Sequence, residues 1–219
     1  IGIRVKAVMT EEILINYTPM ETRVAVVENG VVQEVYLERE ANRGRVGGIF
    51  KGKVVRVLPG MQAAFVDIGF ERAAFIHVND IYRTPADVDG DSKAVPNIMS
   101  LVREGQSLVV QVIKDQIGTK GARLTTHLSI PSRFLVFMPF ANHIGISQRI
   151  DGEEERDRLK GIIKSYMQQS DSKHGGIIVR TVAEGVDEAA LVKDLAFLEK
   201  LWEGVSEKIK SVSAVSIIH

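Results

Sequence analysis

Two phenylalanines stand opposite each other in a predicted hairpin, where their rings could hold flat ligands. Residues 63–68 and 73–78 both alternate with a period of two, which is typical of half-buried strands. A three-residue loop at 69–71, opened by a glycine, joins them and sets Phe65 opposite Phe75. The chemistry that such a pair offers is stacking, because every nucleobase presents a flat π-face to an aromatic ring.

The two rings share their strand face with Asp67 and His77, so this side of the predicted hairpin is polar. An aromatic pair on a polar face is a candidate platform for unpaired bases. Aromatic cross-strand pairs also stabilise sheets without a ligand, and rings beneath a loop would belong to a minor core. The pattern leaves both interpretations open.

A second candidate site is the pair Arg180–Thr181, which follows an apolar segment and precedes a loop and a predicted helix start at Asp187. The arginine guanidinium is a planar fork of donors that matches phosphate oxygens, and threonine adds a hydroxyl. Loops near helix starts bind anions well, although arginines at strand ends are commonly just solvated. Lys120, in the predicted turn 118–121, could contact a phosphate or remain an ordinary solvated lysine.

The sequence shows no catalytic or metal-binding motif. The five histidines are isolated from one another along the chain: His77, His127, His143, His174 and His219. No Ser-His-Asp or paired-carboxylate motif stands out, and the chain has no cysteine, which excludes disulfides and cysteine-bound zinc. The acidic segment 87–91 has Ile98 where an EF-hand loop would need a glutamate, so we predict a solvated loop. We expect no catalytic residue, metal site or cofactor within this chain.

The composition indicates an ordinary globular protein of one or two domains. Of 219 residues, 45% are hydrophobic and 26% charged, and the net charge is zero. A neutral chain has no strong field to attract nucleic acid, so any such binding depends on local contacts. No apolar run reaches about 18 residues, and 1–8 lacks signal-peptide features, so we expect no membrane association and a cytoplasmic location. Because Met9 has the features of a natural start, we expect 1–8 to be an extension.

The elements that must position these residues fall into three groups. Segments 12–16, 22–28 and 31–39 alternate and predict an N-terminal meander, with a hairpin turn at Asn29–Gly30. A polar, glycine-rich joint at 41–48 then separates this meander from the rest of the chain.

The central group predicts five strands. Three strands are expected within 49–81, and two more at 107–113 and 122–127, with a short helical turn at 96–102. The residues expected on the polar side of the last of these strands are Arg123, Thr125 and His127.

The last third alternates strands with helices. Strands are predicted at 134–138 and 177–181, and a helix at 153–168. The buried stripe of that helix is expected to comprise Leu159, Ile162, Ile163 and Tyr166. Asp187 is expected to cap the final helix. Apolar residues spaced by four and three predict its packing seam, namely Leu191, Leu195, Leu198, Trp202, Val205 and Ile209.

The segment 49–81 resembles the S1 RNA-binding domain of the ribonuclease E/G family and is closer to its G branch. The resemblance is carried by Phe50–Gly52 and by 58–69, LPGMQAAFVDIG. It implies a five-stranded barrel of the OB type with an aromatic RNA-facing surface. The RNA-binding positions that it implies are Phe65, Phe75, Lys120 and Arg45.

The last third resembles the 5′-sensor subdomain of the same family through 178–185 and 145–150. That subdomain binds the 5′-monophosphate of RNA. The positions that the resemblance implies for this site are Arg180, Thr181, Val136, Ser132 and Arg149. Arg180 and Thr181 would bind the phosphate, and Val136 would lie under the terminal base. Gln148 stands where some members carry arginine, next to the arginine at 149.

The resemblance implies an α+β fold in three parts. Residues 1–43 would be the N-terminal strands of an RNase H-like subdomain, 44–126 the S1 domain, and 127–219 the 5′-sensor subdomain with a C-terminal helix. The five-stranded OB-fold barrel is thus expected to be flanked by partial RNase H-like strands and an α+β sensor.

The implied function is that of the RNA-binding N-terminal region of a single-strand-specific endoribonuclease in rRNA processing and mRNA decay. Cleavage in that family uses two aspartates and magnesium in a later domain. Catalytic residues are therefore expected beyond His219, Mg²⁺ is expected in the full-length enzyme, and this chain alone is expected to be inactive. The expected partner is single-stranded RNA with a 5′-monophosphate, and the full-length enzyme is expected to be a homo-oligomer.

Two other functions remain open at this point. One is a non-enzymatic S1 or OB-fold RNA-binding protein of translation or regulation, and the other is a binder of single-stranded DNA. Arg180–Thr181 argues against the first, since a plain S1 module needs no 5′-end sensor.

Overall fold

The computed structural model describes residues 11–39, 45–83, 97–118, 120–169 and 175–219. The predicted extension 1–8, the first half of the glycine-rich joint, the acidic loop 87–91 and His174 lie outside these described residues. The chain divides into two compact units, 1–44 and 45–219. Its strands and helices form an α+β fold, as predicted.

The first unit contains an antiparallel meander of three strands: β1 (Glu11–Thr18), β2 (Glu21–Glu28) and β3 (Val31–Arg39). Between β2 and β3, Asn29 and Gly30 adopt φ values of 51° and 80°. Positive φ at both central residues matches the twist of the flanking strands, which is why this dipeptide favours a tight hairpin. The predicted turn is confirmed.

The second unit begins with a closed barrel of five strands: β4 (Ile49–Leu58), β5 (Ala63–Asp67), β6 (Ala74–His77), β7 (Ser107–Lys114) and β8 (Arg123–Thr125). They pair in the order β4-β5-β6-β8-β7, and β7 pairs back with β4. The β6–β8 pairing is parallel and the others are antiparallel. A short helix, α1 (Ile98–Leu101), precedes β7. This mixed, five-stranded arrangement confirms the predicted OB-type barrel.

Alternating apolar residues fill the barrel, among them Val54, Ala64, Val66, Ala74, Ile76, Val110, Val112 and Leu124. The tight packing explains one glycine in β4. A Cβ atom added at Gly52 would lie 2.6 Å from Cγ1 of Val66, closer than two carbon atoms can approach.

A second sheet contains β9 (Ile130–Pro131), β10 (Leu135–Met138), β11 (Ile144–Ile146) and β12 (Gly176–Val179), in the order β11-β12-β10-β9. Two helices, α2 (Glu153–Gln169) and α3 (Glu188–Ser211), share a hydrophobic cluster with this sheet. Asp187 caps α3, since its Oδ1 accepts from the Ala190 amide at 2.7 Å. The predicted seam of α3 lies in or against this cluster, which confirms it. Among the described residues, no helix combines the length and apolar character needed to cross a membrane.

The chain then returns to the barrel through β13 (Ser216–Ile217), which pairs with β4. Two neighbouring residues of β4 belong to different cores: Ile49 to the sheet–helix cluster and Phe50 to the barrel cluster. Lys51, the next residue, donates from Nζ to the carbonyl oxygens of Ile209 and Val212 at the end of α3. Strand β4 therefore links the barrel to the sheet–helix layer.

Two sequence predictions were wrong in detail. Thr125 was expected on the polar side of β8, but it is only 7% exposed, and its Oγ1 donates to the Asp80 carbonyl oxygen at 3.0 Å. The strand predicted to reach Thr181 ends at Val179, because Arg180 begins a 3₁₀ turn over Thr181–Ala183.

Candidate nucleic-acid interface

Phe65 and Phe75 form a cross-strand pair on the outside of the barrel. They are direct partners in the β5–β6 register, as the loop length predicted. Their ring centroids lie 6.3 Å apart with the planes at 68°, an edge-to-face arrangement. Both side chains are half-buried, and neither belongs to the hydrophobic cluster inside the barrel. The rings are therefore accessible to a ligand from the barrel surface.

Two arginines that sequence reasoning missed extend this pair into a row. Arg56 is the β4 partner of Phe65, and Arg123 is the β8 partner of Phe75. Both arginines are exposed. With strands spaced about 4.8 Å apart, the four positions span about 14 Å across the barrel surface. Because the row crosses four strands, the only signal for it in the sequence was the alternation within each strand.

Arg123 is oriented by a carboxylate of the same surface. Its Nε and Nη2 both donate to Oδ2 of Asp80, at 3.1 and 3.0 Å. This ion pair is partly exposed, so it contributes little stability. Its effect is to hold the guanidinium beside the Phe75 position.

Arg45 and Lys120 lie at the end of the barrel that holds the β7–β8 connection. The amide of Arg45 donates to Asp115, at 3.1 Å to Oδ1, and its guanidinium carbon lies 3.9 Å from the ring centroid of Phe70. Lys120 is exposed and exchanges two backbone hydrogen bonds with Ile117. The structure thus presents both predicted cations at the surface, Arg45 stacked on an aromatic ring.

A second polar cluster forms where β12 ends. The amide of Arg180 donates to the Phe134 carbonyl oxygen at 2.8 Å. Its Nη1 donates to the carbonyl oxygens of Ser132 and Arg133, at 2.5 and 3.2 Å. These bonds orient an exposed guanidinium against the loop that holds the predicted Ser132.

A second set of contacts involves the hydroxyl groups of Ser147 and of Thr181, the residue after Arg180. The Thr181 Oγ1 is 3.1 Å from Oγ of Ser147, and the amide of Arg149 donates to the same Ser147 oxygen at 3.3 Å. The amide of Ser147 in turn donates to Val179, the last residue of β12, at 2.9 Å. The structure therefore brings together four of the five predicted phosphate-site residues: Ser132, Arg149, Arg180 and Thr181. Ser147 joins them, although sequence reasoning did not single it out.

The fifth predicted residue, Val136, lies on the adjoining sheet. It pairs with Ile178 of β12, and Gly145 of β11 pairs with Ile178 from the other side. Val136 and Ile178 are half-buried, whereas Leu135 and Phe137 on the opposite face enter the core. The outer face of the sheet thus presents a small apolar surface beside the polar cluster.

Two acidic residues from the helices hold the loops of this cluster, and sequence reasoning missed both. Asp194 of α3 accepts from Oγ of Ser132 at 2.7 Å. Glu155 of α2 accepts from Arg158 and, at 2.9 Å, from the Gly185 amide that follows the turn at Thr181. The hydrogen bonds from Arg158 and then Gly185 lower the pKa of Glu155 to about 2.

The described residues contain no cluster of side chains typical of a metal site. No three His, Asp or Glu side chains gather within that part of the chain. Magnesium prefers carboxylate oxygens with bound water, so these residues do not fit the Mg²⁺ that the family resemblance implies for catalysis. The side chains described above offer rings for stacking, and guanidinium groups and hydroxyls for phosphates.

The chain is similar to several known proteins. The model of the Ribonuclease E/G family matches residues 129–219. Ribonuclease G of Escherichia coli (strain K12) is 55% identical over 205 residues, which are 92% of this chain and 41% of that protein. Ribonuclease G of Haemophilus influenzae is 53% identical over 200 residues, covering 90% of this chain and 40% of that protein. Ribonuclease E of Escherichia coli (strain K12) is 36% identical over 211 residues, covering 95% of this chain and 20% of that protein.

The chain thus spans less than half the length of the relatives that it matches. The similarity nevertheless extends over both the barrel and the sheet–helix layer, and the family match covers the whole cluster around Arg180. This chain carries a domain of the Ribonuclease E/G family.

Proposed function

We propose that this chain binds single-stranded RNA on its barrel and recognises a 5′-monophosphate at the cluster around Arg180. The observation that carries the proposal is the convergence of Arg180, Thr181, Ser147 and Arg149 at the end of one strand. Relatives of this chain are named ribonucleases, which supports RNA as the nucleic acid.

The barrel supplies contacts that every RNA sequence can use. Phe65 and Phe75 each offer a ring on which a base can stack, and stacking is tolerant of sequence. Arg56 and Arg123 stand at the two ends of the same row, where they can meet phosphates of a strand that crosses it. Arg45 and Lys120 add cations at the end of the barrel. Unpaired bases fit this surface, whereas a duplex hides its base faces.

The cluster around Arg180 supplies contacts suited to a chain end. A guanidinium carries five N–H donors. In the described contacts Nη1 of Arg180 binds two carbonyl oxygens, which leaves Nε and Nη2 for a ligand. A terminal monophosphate has three free oxygens and more charge than an internal phosphodiester, so it gains more from these donors and the nearby hydroxyls. Val136 and Ile178 offer an apolar surface for the terminal base.

Charge and shape predict opposite orders of affinity for RNA with a triphosphate end and RNA with a monophosphate end. Charge alone would favour the triphosphate over the monophosphate. We expect Val136 and the loop 145–150, which carries Ser147 and Arg149, to close the site behind the phosphate and to leave little room for the added phosphates. We therefore propose that the monophosphate binds best.

For the whole protein we propose single-strand-specific endoribonuclease activity in rRNA processing and mRNA decay in the cytoplasm. Magnesium-dependent chemistry would be supplied by carboxylates outside this chain, within a homo-oligomer. The residues described above would bind and orient the RNA and contribute no catalytic group.

The test is binding of one single-stranded RNA with monophosphate, triphosphate or hydroxyl at its 5′ end. Arg180→Ala should abolish the preference for the monophosphate, at a cost of about 1.5–3 kcal/mol for lost charge-assisted bonds, and leave hydroxyl-ended RNA almost unaffected. Lys160→Ala, which removes an exposed cation from α2, is the control and should keep the preference. Equal weakening of all three RNAs by Arg180→Ala would make Arg180 a general phosphate contact. The protein would then act as an S1-type RNA-binding protein without end recognition.

A further inference from the structure

A carboxylate from helix α3 reaches the loop that orients Arg180. Asp194 is half-buried, and its Oδ2 accepts from Oγ of Ser132 at 2.7 Å and from the amide of Phe134 at 2.9 Å. Both donors come from the short connection between β9 and β10. A carboxylate suits this position because it accepts hydrogen bonds only, and both neighbours donate.

Arg180 binds the same connection through different atoms, the backbone carbonyl oxygens of that connection. Its Nη1 donates to the carbonyl oxygens of Ser132 and Arg133, and its amide donates to the carbonyl oxygen of Phe134. The connection therefore acts as a template: its amide and hydroxyl face Asp194, and its carbonyl oxygens face the guanidinium. A displaced template would leave the guanidinium without the acceptors that set its direction.

We propose that Asp194 is a positioning residue for a terminal phosphate monoester, acting through the Ser132–Phe134 connection on Arg180. The inference rests on the proposed function, since it assigns a residue to the same phosphate site. Asp194 does not touch the ligand. It holds the carbonyl oxygens that aim Arg180, so its loss should reduce the recognition of the end and leave stacking on the barrel unchanged.

Two variants of Asp194 separate geometry from charge. Both hydrogen bonds reach one oxygen, so the single amide oxygen of Asp194→Asn can accept both, whereas Asp194→Ala can accept neither. Asp187→Ala is the matched control, because it removes the N-terminal cap of the same helix without touching the template. It destabilises α3 but should keep the preference for the monophosphate.

The experiment measures the dissociation constants of 5′-monophosphate and 5′-hydroxyl RNA for the full chain and its three variants. Asp194→Ala should reduce the affinity for the monophosphate end by about tenfold, as expected for lost bonds that orient a charged donor, and leave the hydroxyl end unchanged. Asp194→Asn and Asp187→Ala should retain the preference. This pattern would support the positioning role.

Other outcomes would overturn the inference. An unmodified chain without end preference would refute the proposed function itself. If the unmodified chain prefers the monophosphate and Asp194→Ala shows the same preference, only the positioning role is refuted. The positioning role is also refuted if Asp187→Ala loses as much of the preference as Asp194→Ala. If Asp194→Ala fails to fold, Ser132→Ala removes one of the two bonds, and a preference equal to that of the unmodified chain would refute the inference.

Discussion

The ammonium nitrogen of Lys51 lies 2.8 Å from the carbonyl oxygen of Val212. The same nitrogen donates to the Ile209 carbonyl oxygen at 2.8 Å, so a lysine of barrel strand β4 caps the end of α3. The last carbonyl groups of a helix lack partners within the helix, and a cation there also interacts favourably with the helix dipole. This contact ties the sheet–helix layer to the barrel.

Replacing Lys51 by methionine should lower the free energy of unfolding by about 1.5–3 kcal/mol, the range for hydrogen bonds that involve a charged group. Methionine keeps most of the apolar stem and removes the two bonds. The measurement is equilibrium denaturation by urea, with Lys53→Met, an exposed residue of the same strand, as the control. An equal loss in both variants would contradict the capping role.

Replacing Phe65 or Phe75 by alanine should weaken the binding of single-stranded RNA by about 1–3 kcal/mol each while the fold persists, because both rings lie outside the core. Phe50→Ala is the contrasting variant. Its ring is only 5% exposed inside the barrel, and its loss should cost about 3–5 kcal/mol of stability. Fluorescence anisotropy and thermal unfolding of each variant distinguish the two effects. Unchanged RNA affinity in the Phe65/Phe75 double variant would show that the rings do not stack bases.

Replacing Arg56 or Arg123 by glutamine should reduce the salt dependence of RNA binding. For single strands, each lost phosphate contact lowers the slope of log affinity against log salt concentration by about 0.7. The measurement is a titration at several salt concentrations with a hydroxyl-ended RNA, which excludes the end site. Arg103→Gln, an exposed arginine outside the row, should leave the slope unchanged. If the slope for Arg56→Gln also equals that of the unmodified chain, Arg56 does not contact a phosphate of the RNA.

The free energy of unfolding should fall in acid, in part because Glu155 becomes protonated. Its pKa is about 2 in the folded protein against an ordinary value of 4.5, so its stabilising contribution is fully present above pH 4.5. As the pH falls from 4.5 towards 2, protonation weakens the bonds with Arg158 and Gly185, and that contribution is lost. Urea denaturation across this range should show a shallower decline for Glu155→Gln than for the unmodified chain. The adjacent Glu154→Gln should behave like the unmodified chain, and identical profiles for all three would contradict the assignment.

Local patterns were sufficient for much of the fold. The pairing of Phe65 with Phe75 could be predicted because it depends only on a three-residue loop and a period of two. The Asn29–Gly30 turn and the Asp187 cap follow from the backbone preferences of single residues. The seam of α3 follows from apolar spacing. Each of these signals lies within one or two neighbouring elements.

Contacts between distant segments could not be predicted in this way. Ser132 and Asp194 are 62 residues apart, and Lys51 and Val212 are 161 apart. The row from Arg56 to Arg123 requires the register of four strands, including the parallel pairing of β6 with β8. Thr125 was misplaced for the same reason, since its partner is a backbone carbonyl at Asp80 rather than solvent. Alternation along one strand specifies its two faces but not what covers them.

The adjacent residues Ile49 and Phe50 enter two different hydrophobic clusters from opposite faces of β4. Shifting a strand by one residue exchanges its faces. A one-residue insertion or deletion just before Ile49 therefore cannot be absorbed by sliding β4, since the slide would misplace side chains in both clusters at once. The dipeptide Ile49–Phe50 thus fixes the alignment of β4, because only one register fills both clusters.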